Sequence, residues 1–223
     1  VTAARARERQ IAHFTHVDNL TTIIAQGALS CDSVARQGQT RVEVGDTEIK
    51  EARRLRPVPV GPGGFVGDYV PFYFGPRSPM MFRIACDHRD EMPGRYPGGD
   101  RPLAYLVTTA GSIADAGLGW VGTDGNAAAA TSRFCSALPD LNGMVDWPLM
   151  AAERWNNIPE DPDRQRRRMA EFLVHRAVPL ALITLVAAYD AEYAAQIGAM
   201  LAGHALAGQV VVRPGWYYGY GRR

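Results

Sequence analysis

In the run AEFLVH, strict alternation sets Ala170, Phe172 and Val174 on one face of a strand and Glu171, Leu173 and His175 on the other. A carboxylate projecting among apolar neighbours is costly to desolvate unless it has a partner or a task. Glu171 is therefore a candidate for stabilising positive charge at a reacting centre. A surface glutamate beside three arginines is the competing assignment. In the run IAHFTH, His13 and Thr15 share one strand face opposite Ala12 and Phe14, and an imidazole beside a hydroxyl can hydrogen-bond a diol. A histidine satisfied inside the core fits that run as well. The third run, DYVPFYFGPRSPM from Asp68 to Met80, reads as an aromatic strand forming a rigid, half-buried wall. Arg77 leaves it through a turn constrained by Pro76 and Pro79. Such a wall is pocket architecture, although a core strand followed by a tight turn explains the run taken alone.

Short alternating strands and helices must carry these residues. The strand IAHFTH ends at Asp18, an expected N-cap for a helix through Gln26 that Gly27 stops. The polar stretch from Ala35 to Thr47 breaks periodicity and reads as a mobile loop, and Ile49 to Leu55 reads as helical. LAYLVTT is a strand. Thr123 to Asp146 is an excursion with its own short helix, and Pro148 to Trp155 suits another. EFLVH, Leu182 to Ala187 and QVVVR are apolar strands, with a helix capped by Asp190 between the last two. This mixture is α+β. No G-x-G-x-x-G follows a strand, which disfavours a Rossmann dinucleotide site.

At 223 residues and 47% hydrophobic, the chain suits one compact domain over residues 1–223. It has no window of apolar residues long enough to span a bilayer, and the first ten residues have no apolar signal core, so a cytoplasmic, membrane-free monomer is expected. Cys31, Cys86 and Cys135 are far apart and lack C-x-x-C spacing; they read as buried thiols outside any disulfide or zinc site. A net charge of +1 argues against bulk attraction of nucleic acid. Of the 24 basic residues 23 are arginine, clustered at Arg53, Arg54, Arg56 and at Arg164, Arg166, Arg167, Arg168. Such clusters can hold a strand locally, or form an ordinary solvated face.

HFTHVDNL, the aromatic wall and RRRMAEFLVH, in this order and spacing, resemble the DarT family, toxins of bacterial toxin–antitoxin pairs that attach ADP-ribose from NAD to DNA bases. The resemblance runs from about His13 to the WYY at Trp216 to Tyr218. It implies the ADP-ribosyltransferase-like fold, two small β-sheets packed at an angle around an NAD cleft and flanked by short helices. It places His13 on the adenosine ribose, backbone near Thr15 on the cofactor and Tyr73 on the nicotinamide. Glu171 would hold the nicotinamide ribose and stabilise the developing cation. Arg53, in the context Ile49, Glu51, Arg53, falls at the catalytic arginine, with Arg54 and Arg56 as close neighbours, and would bind pyrophosphate or act on the acceptor. Asn19 is equally a helix cap or a cofactor contact.

The acceptor implied is thymine, ahead of guanine, in single-stranded DNA, since the ring nitrogen is hidden in a duplex. Arg77, Met80, Asn126, Arg166 and Arg167 are candidate DNA contacts, with a turn role favoured for Asn126. No metal is required, because the nicotinamide leaves neutral. A macrodomain antitoxin is implied as partner. The alternatives are a transferase acting on RNA or protein, or an inactive module that binds NAD or nucleic acid.

Overall fold

The computed structural model describes residues 6–35 and 41–222. The strands are β1 (Gln10–His16), β2 (Ala28–Ser30), β3 (Tyr69–Tyr73), β4 (Leu103–Thr109), β5 (Trp120–Thr123), β6 (Phe134–Cys135), β7 (Glu171–His175), β8 (Ala177–Pro179), β9 (Leu185–Ala188) and β10 (Val210–Val212). The helices are α1 (Leu20–Gln26), α2 (Asp32–Ala35), α3 (Thr47–Leu55), α4 (Pro79–Arg89), α5 (Ala110–Asp115), α6 (Leu138–Met144), α7 (Trp147–Ala151), α8 (Arg164–Arg168) and α9 (Ala191–Met200).

Eight strands hydrogen-bond in the order β10-β9-β4-β1-β3-β7-β5-β6, and β2 pairs separately with β8. Within the larger sheet the ladders are unequal. β1 pairs with β4 from Gln10↔Thr109 to His16↔Leu103, and β3 with β7 from Tyr69↔His175 to Tyr73↔Glu171. Between β1 and β3 the ladder holds one pair, Ala12↔Tyr73. Pro71 explains why it stops: in the middle of β3 it has no N–H to give, so continued pairing with β1 is blocked. The two halves part beyond that point. The expected pair of small sheets is thus one hydrogen-bonded sheet hinged at a single register pair.

Side-chain alternation builds the cores on this frame. One cluster runs under both halves and includes Ile11, Leu106, Val70, Phe172 and Val174. A second gathers Phe14, Tyr73 and Tyr105, and a third Tyr69, Val121 and Leu173. Phe172 and Leu173, adjacent in β7, therefore serve different cores, as the alternation in AEFLVH requires.

LAYLVTT, EFLVH and the helix after Asp190 form as expected, and Asp190 accepts the Tyr193 N–H as a cap. Gly27 ends α1 with φ of 68°, a conformation that favours glycine. Other boundaries are corrected. The aromatic strand ends at Tyr73, and Pro79 with Met80 instead opens α4, because the Ser78 side chain accepts the Met81 N–H and Pro79 suits the first turn. Asp18 lies in a 3-10 turn and does not cap α1; the His16 side chain accepts its N–H. The helix expected from Pro148 to Trp155 is the shorter α7, and Leu182 belongs to a 3-10 turn before β9. Cys31 and Cys135 are buried free thiols, whereas Cys86 is only half-buried. Among the described residues no helix is long and apolar enough to cross a membrane.

Candidate active site

The hinge row continues across three strands: Ala12 pairs with Tyr73, and Tyr73 pairs with Glu171. Glu171 is 2% exposed and Arg53 8%. Arg53 Nη1 donates to both carboxylate oxygens, at 2.9 Å to Oε2 and 3.2 Å to Oε1. The Ala127 N–H donates to Oε1 at 2.9 Å, so the 124–133 loop supplies a backbone donor to the same carboxylate. Burial, the largest single influence, opposes the charge on Arg53, but Glu171 together with Tyr73 and Asp32 holds the guanidinium pKa above its usual value. Arg53 Nη2 is buried with no hydrogen-bond partner. A buried, charged donor left free beside a cavity is costly unless a ligand accepts from it.

Helix α3 brings Arg53 here. Its N-terminus is set by the Asp46 side chain, which accepts the Glu48 N–H and ion-pairs with Arg83 and Arg95. Helix α3 also packs closely on the turn before β3: a Cβ added at Gly67 would lie 3.3 Å from the Arg54 backbone. Of the three neighbouring arginines only Arg53 reaches Glu171. Arg54 ion-pairs with Glu51, and Arg56 donates to the Ala130 carbonyl.

A cavity of about 380 Å³ opens against this pair where the sheet halves part. His13, Thr15, Asn19, Tyr73, Met80 and Asn126 all line it. His13 Nδ1 lies 2.8 Å from the Pro71 carbonyl, which can only accept, so Nδ1 carries the proton. Desolvation lowers its pKa to about 4, leaving a neutral ring whose Nε2 is an acceptor. Tyr73 stacks on Phe14 with ring centroids 6.0 Å apart, and its hydroxyl lies 3.6 Å from Met80 Sδ. Burial raises the Tyr73 pKa, so the phenol stays neutral.

Asn19 neither caps α1 nor is free. Its amide donates to Thr15 Oγ1 and the Val42 carbonyl, and its oxygen accepts from the Arg41 and Val42 N–H groups. It pins the chain that forms one cavity wall. Lys50, on the face of α3 that carries Arg53, pins the same wall by bridging Asp32 at 2.9 Å and Glu43 at 2.6 Å. Residues 41–46 are thus tied down, contrary to a loose loop; the rest of that expectation, at residues 36–40, lies outside the described residues. Sequence reading missed Lys50, Asp32 and Glu43. The available signal was a lone lysine three residues before Arg53.

The candidate DNA contacts divide. Met80 and Asn126 reach the cavity, although the Asn126 side chain also accepts the Ala128 N–H as a turn asparagine does. Arg77, at φ of 56°, lies outside the lining and places its guanidinium 4.5 Å over the Tyr218 ring. Arg166 is held by Asp163 and Asp124, and Arg167 by Asp161 and Asp146, so both are already saturated by carboxylates. Among the described residues no group of three or more His, Cys, Asp or Glu could hold a metal ion.

Two half-sheets meeting at one register pair, with a carboxylate and guanidinium locked beside it, fit the NAD cleft that the family resemblance implies. Residues 12–218 match the family model described as "ssDNA thymidine ADP-ribosyltransferase, DarT". A DNA ADP-ribosyl transferase of Mycobacterium tuberculosis is 37% identical over 209 residues, covering 92% of this chain and 87% of that protein. The structure of Thermus sp. 2.9 DarT with ADP-ribosylated single-stranded DNA superposes with a TM-score of 0.84 at 33% identity, covering 94% of this chain and 96% of that one. The same protein with NAD+ gives 0.81. A DNA ADP-ribosyl transferase–DNA ADP-ribosyl glycohydrolase fusion protein of Thermosipho africanus is 26% identical, covering 86% of this chain and 45% of that protein. The chain belongs to the DarT family of single-stranded-DNA ADP-ribosyltransferases.

Proposed function

We propose that this chain transfers ADP-ribose from NAD to a thymine of single-stranded DNA, with guanine the second choice, and that it acts as a cytoplasmic toxin. The observation that carries this reading is the buried Arg53–Glu171 pair with one guanidinium donor unengaged. In the proposed assignment His13 Nε2 accepts from a hydroxyl of the adenosine ribose, with Thr15 beside it, and Tyr73 faces the nicotinamide. Asn19 acts through the wall it pins. Glu171 Oε2 accepts one hydrogen bond and has capacity for another, which suits a ribose hydroxyl of the donor.

Cleavage of the bond from C1′ of the nicotinamide ribose to the pyridinium nitrogen sends the electron pair to nitrogen, so neutral nicotinamide leaves. Positive charge grows on the sugar, and the fixed Glu171 carboxylate stabilises it. A ring nitrogen of the base then bonds to C1′ and loses its proton to solvent water. Arg53 Nη2 can donate to the carbonyl beside that nitrogen and so stabilise the anion; a guanidinium is a poor base. Met80, Asn126 and Arg77 are the proposed DNA contacts. Arg166 and Arg167 are weaker members of that set, since a phosphate must compete with their carboxylates. The chain is proposed to work as one domain and as a monomer, and the fusion relative supports a partner that removes ADP-ribose from DNA.

Mass spectrometry after incubation with NAD and oligonucleotides tests the proposal. Single strands should gain one ADP-ribose on thymine, and annealing the complement should slow the reaction by at least about tenfold, since extruding a paired base costs a few kcal/mol. Modification of RNA or protein but not DNA would overturn the acceptor, and equal rates on duplex would overturn the ring-nitrogen assignment.

A further inference from the structure

Behind the wall that Met80 contributes to the cleft, α4 turns a second face outward. Phe82 on that face is 36% exposed. Its ring meets Trp155 at 5.6 Å, Tyr218 at 5.1 Å and Tyr220 at 6.4 Å, each edge to face at 65° to 88°, and all three partners are half-buried. Chain segments far apart in sequence thus bring their rings to one surface, where a flat molecule can stack.

The cations at its edge are unlike the rest. Arg89 lies over Tyr220 but is clamped by Asp90, and Arg166 and Arg167 have carboxylates as described. Arg77 over Tyr218 has no ion-pair partner among the described residues. Directly beneath it, Arg168 is 2% exposed, donates through Nη2 to the Pro76 carbonyl at 2.8 Å, and leaves Nε and Nη1 with no partner. Arg168 also lacks an ion-pair partner among the described residues. Burial lowers its pKa and Arg77 adds to that effect, while Tyr218 and Tyr105 oppose it. Two guanidiniums without a carboxylate, one of them under low-dielectric cover, make a local excess of positive potential at this turn. Anionic groups are drawn there.

Aromatic rings beside uncompensated guanidiniums fit a nucleotide better than an acidic protein surface, which would leave the rings without a stacking partner. We infer that this face seats a nucleotide flanking the acceptor base, its base stacked on Phe82 with the edge-on Trp155 and Tyr220 rings flanking it, and its phosphate at Arg77 with Arg168 behind. The inference rests on the proposed DNA substrate and deepens it. The seat holds the strand in place while the acceptor base enters past Met80.

Fluorescence anisotropy with labelled single-stranded DNA tests the seat, and mass spectrometry on the same samples tests transfer separately. Phe82→Ala should bind DNA at least about fivefold more weakly, the loss of one stacking platform. Arg77→Gln should flatten the dependence of log affinity on log salt by about 0.7, one phosphate contact on a single strand. Calorimetric NAD affinity should stay at the wild-type value in both variants, melting should remain cooperative and well above the assay temperature, and Tyr220→Ala removes a ring flanking the seat. Wild-type affinity and salt slope in all three, or no DNA binding by the wild type, would overturn the seat. Binding that depends on Phe82 and Arg77 without any base modification would sustain the seat and overturn the transfer reaction.

Discussion

Arg53 and Arg168 are both buried arginines, and the molecule treats them in opposite ways. Arg53 faces Glu171 at the fork of the sheet, and the carboxylate together with Tyr73 and Asp32 holds its pKa up against burial. Arg168 faces two backbone carbonyls and a pair of tyrosines, and burial prevails. A guanidinium cannot shed its proton, so the second arrangement is a standing cost. The difference separates the two tasks of a transferase: at the reacting centre charge is balanced and rigid, whereas at the proposed strand seat it is left for the ligand to balance.

Methionine at each position should expose the contrast most strongly. Arg53→Met strands the Glu171 carboxylate with one backbone donor, and breaking a buried pair in this way costs about 3–5 kcal/mol. Arg168→Met removes an uncompensated cation and leaves no buried carboxylate behind, so stability should change by less than about 1 kcal/mol. Urea titrations of both variants decide the matter. A large loss for Arg168→Met would mean that its contacts to the Pro76 turn hold the fold, and the comparison would break.

Glu171→Gln sharpens the balanced side, because it keeps volume and the acceptor shared by the Ala127 N–H and Arg53 but deletes the charge and the second acceptor. Single-turnover transfer should fall by about 10²- to 10³-fold or more, the scale of losing one transition-state electrostatic contact. NAD affinity should fall far less. Glu171→Ala is a poorer probe, since it removes both acceptors and leaves Arg53 unpaired. Equal losses in affinity and rate would make Glu171 a binding residue only.

Most of this site was legible because strand alternation carries side-chain direction: Glu171 against Phe172, and His13 against Phe14, follow from a period of two. Arg53 was reachable only through the resemblance, since nothing local distinguishes it from Arg54 and Arg56; a helix must be built and docked through Gly67 before one of them points inward. Of the two readings of Asn19 the cap is not formed, because its side chain is engaged by Thr15 and by backbone groups more than twenty residues away. Phe82 passed unnoticed for a related reason. Its neighbours come from the loop after α7 and from the C-terminal segment, and only tertiary packing brings such rings together. The turn into α4 was lost within the aromatic run, where Ser78-Pro79 is a capping signal that a strand reading obscures.

His13 gives the third solution to a buried basic group: it goes neutral. Its pKa is lowered to about 4 from 6.5 by desolvation, against the help of the Pro71 carbonyl. Above the unfolded value both states hold the ring uncharged, so the full stability is present. As pH falls from 6.5 towards 4 the unfolded chain takes up a proton that the folded chain refuses, and stability declines through that window. The whole loss from this one group is at most about 3.5 kcal/mol. Subtracting the pH–stability curve of His13→Gln from that of the wild type isolates it from other titrations, and the difference should grow only below neutrality. NAD affinity should be flat across the upper part of the same window, because Nε2 remains an acceptor until the ring protonates. An affinity that falls with a midpoint near 6.5 would reveal a solvated imidazole. His13 would then be an ordinary surface base, and the contact to the adenosine ribose would have to be assigned elsewhere.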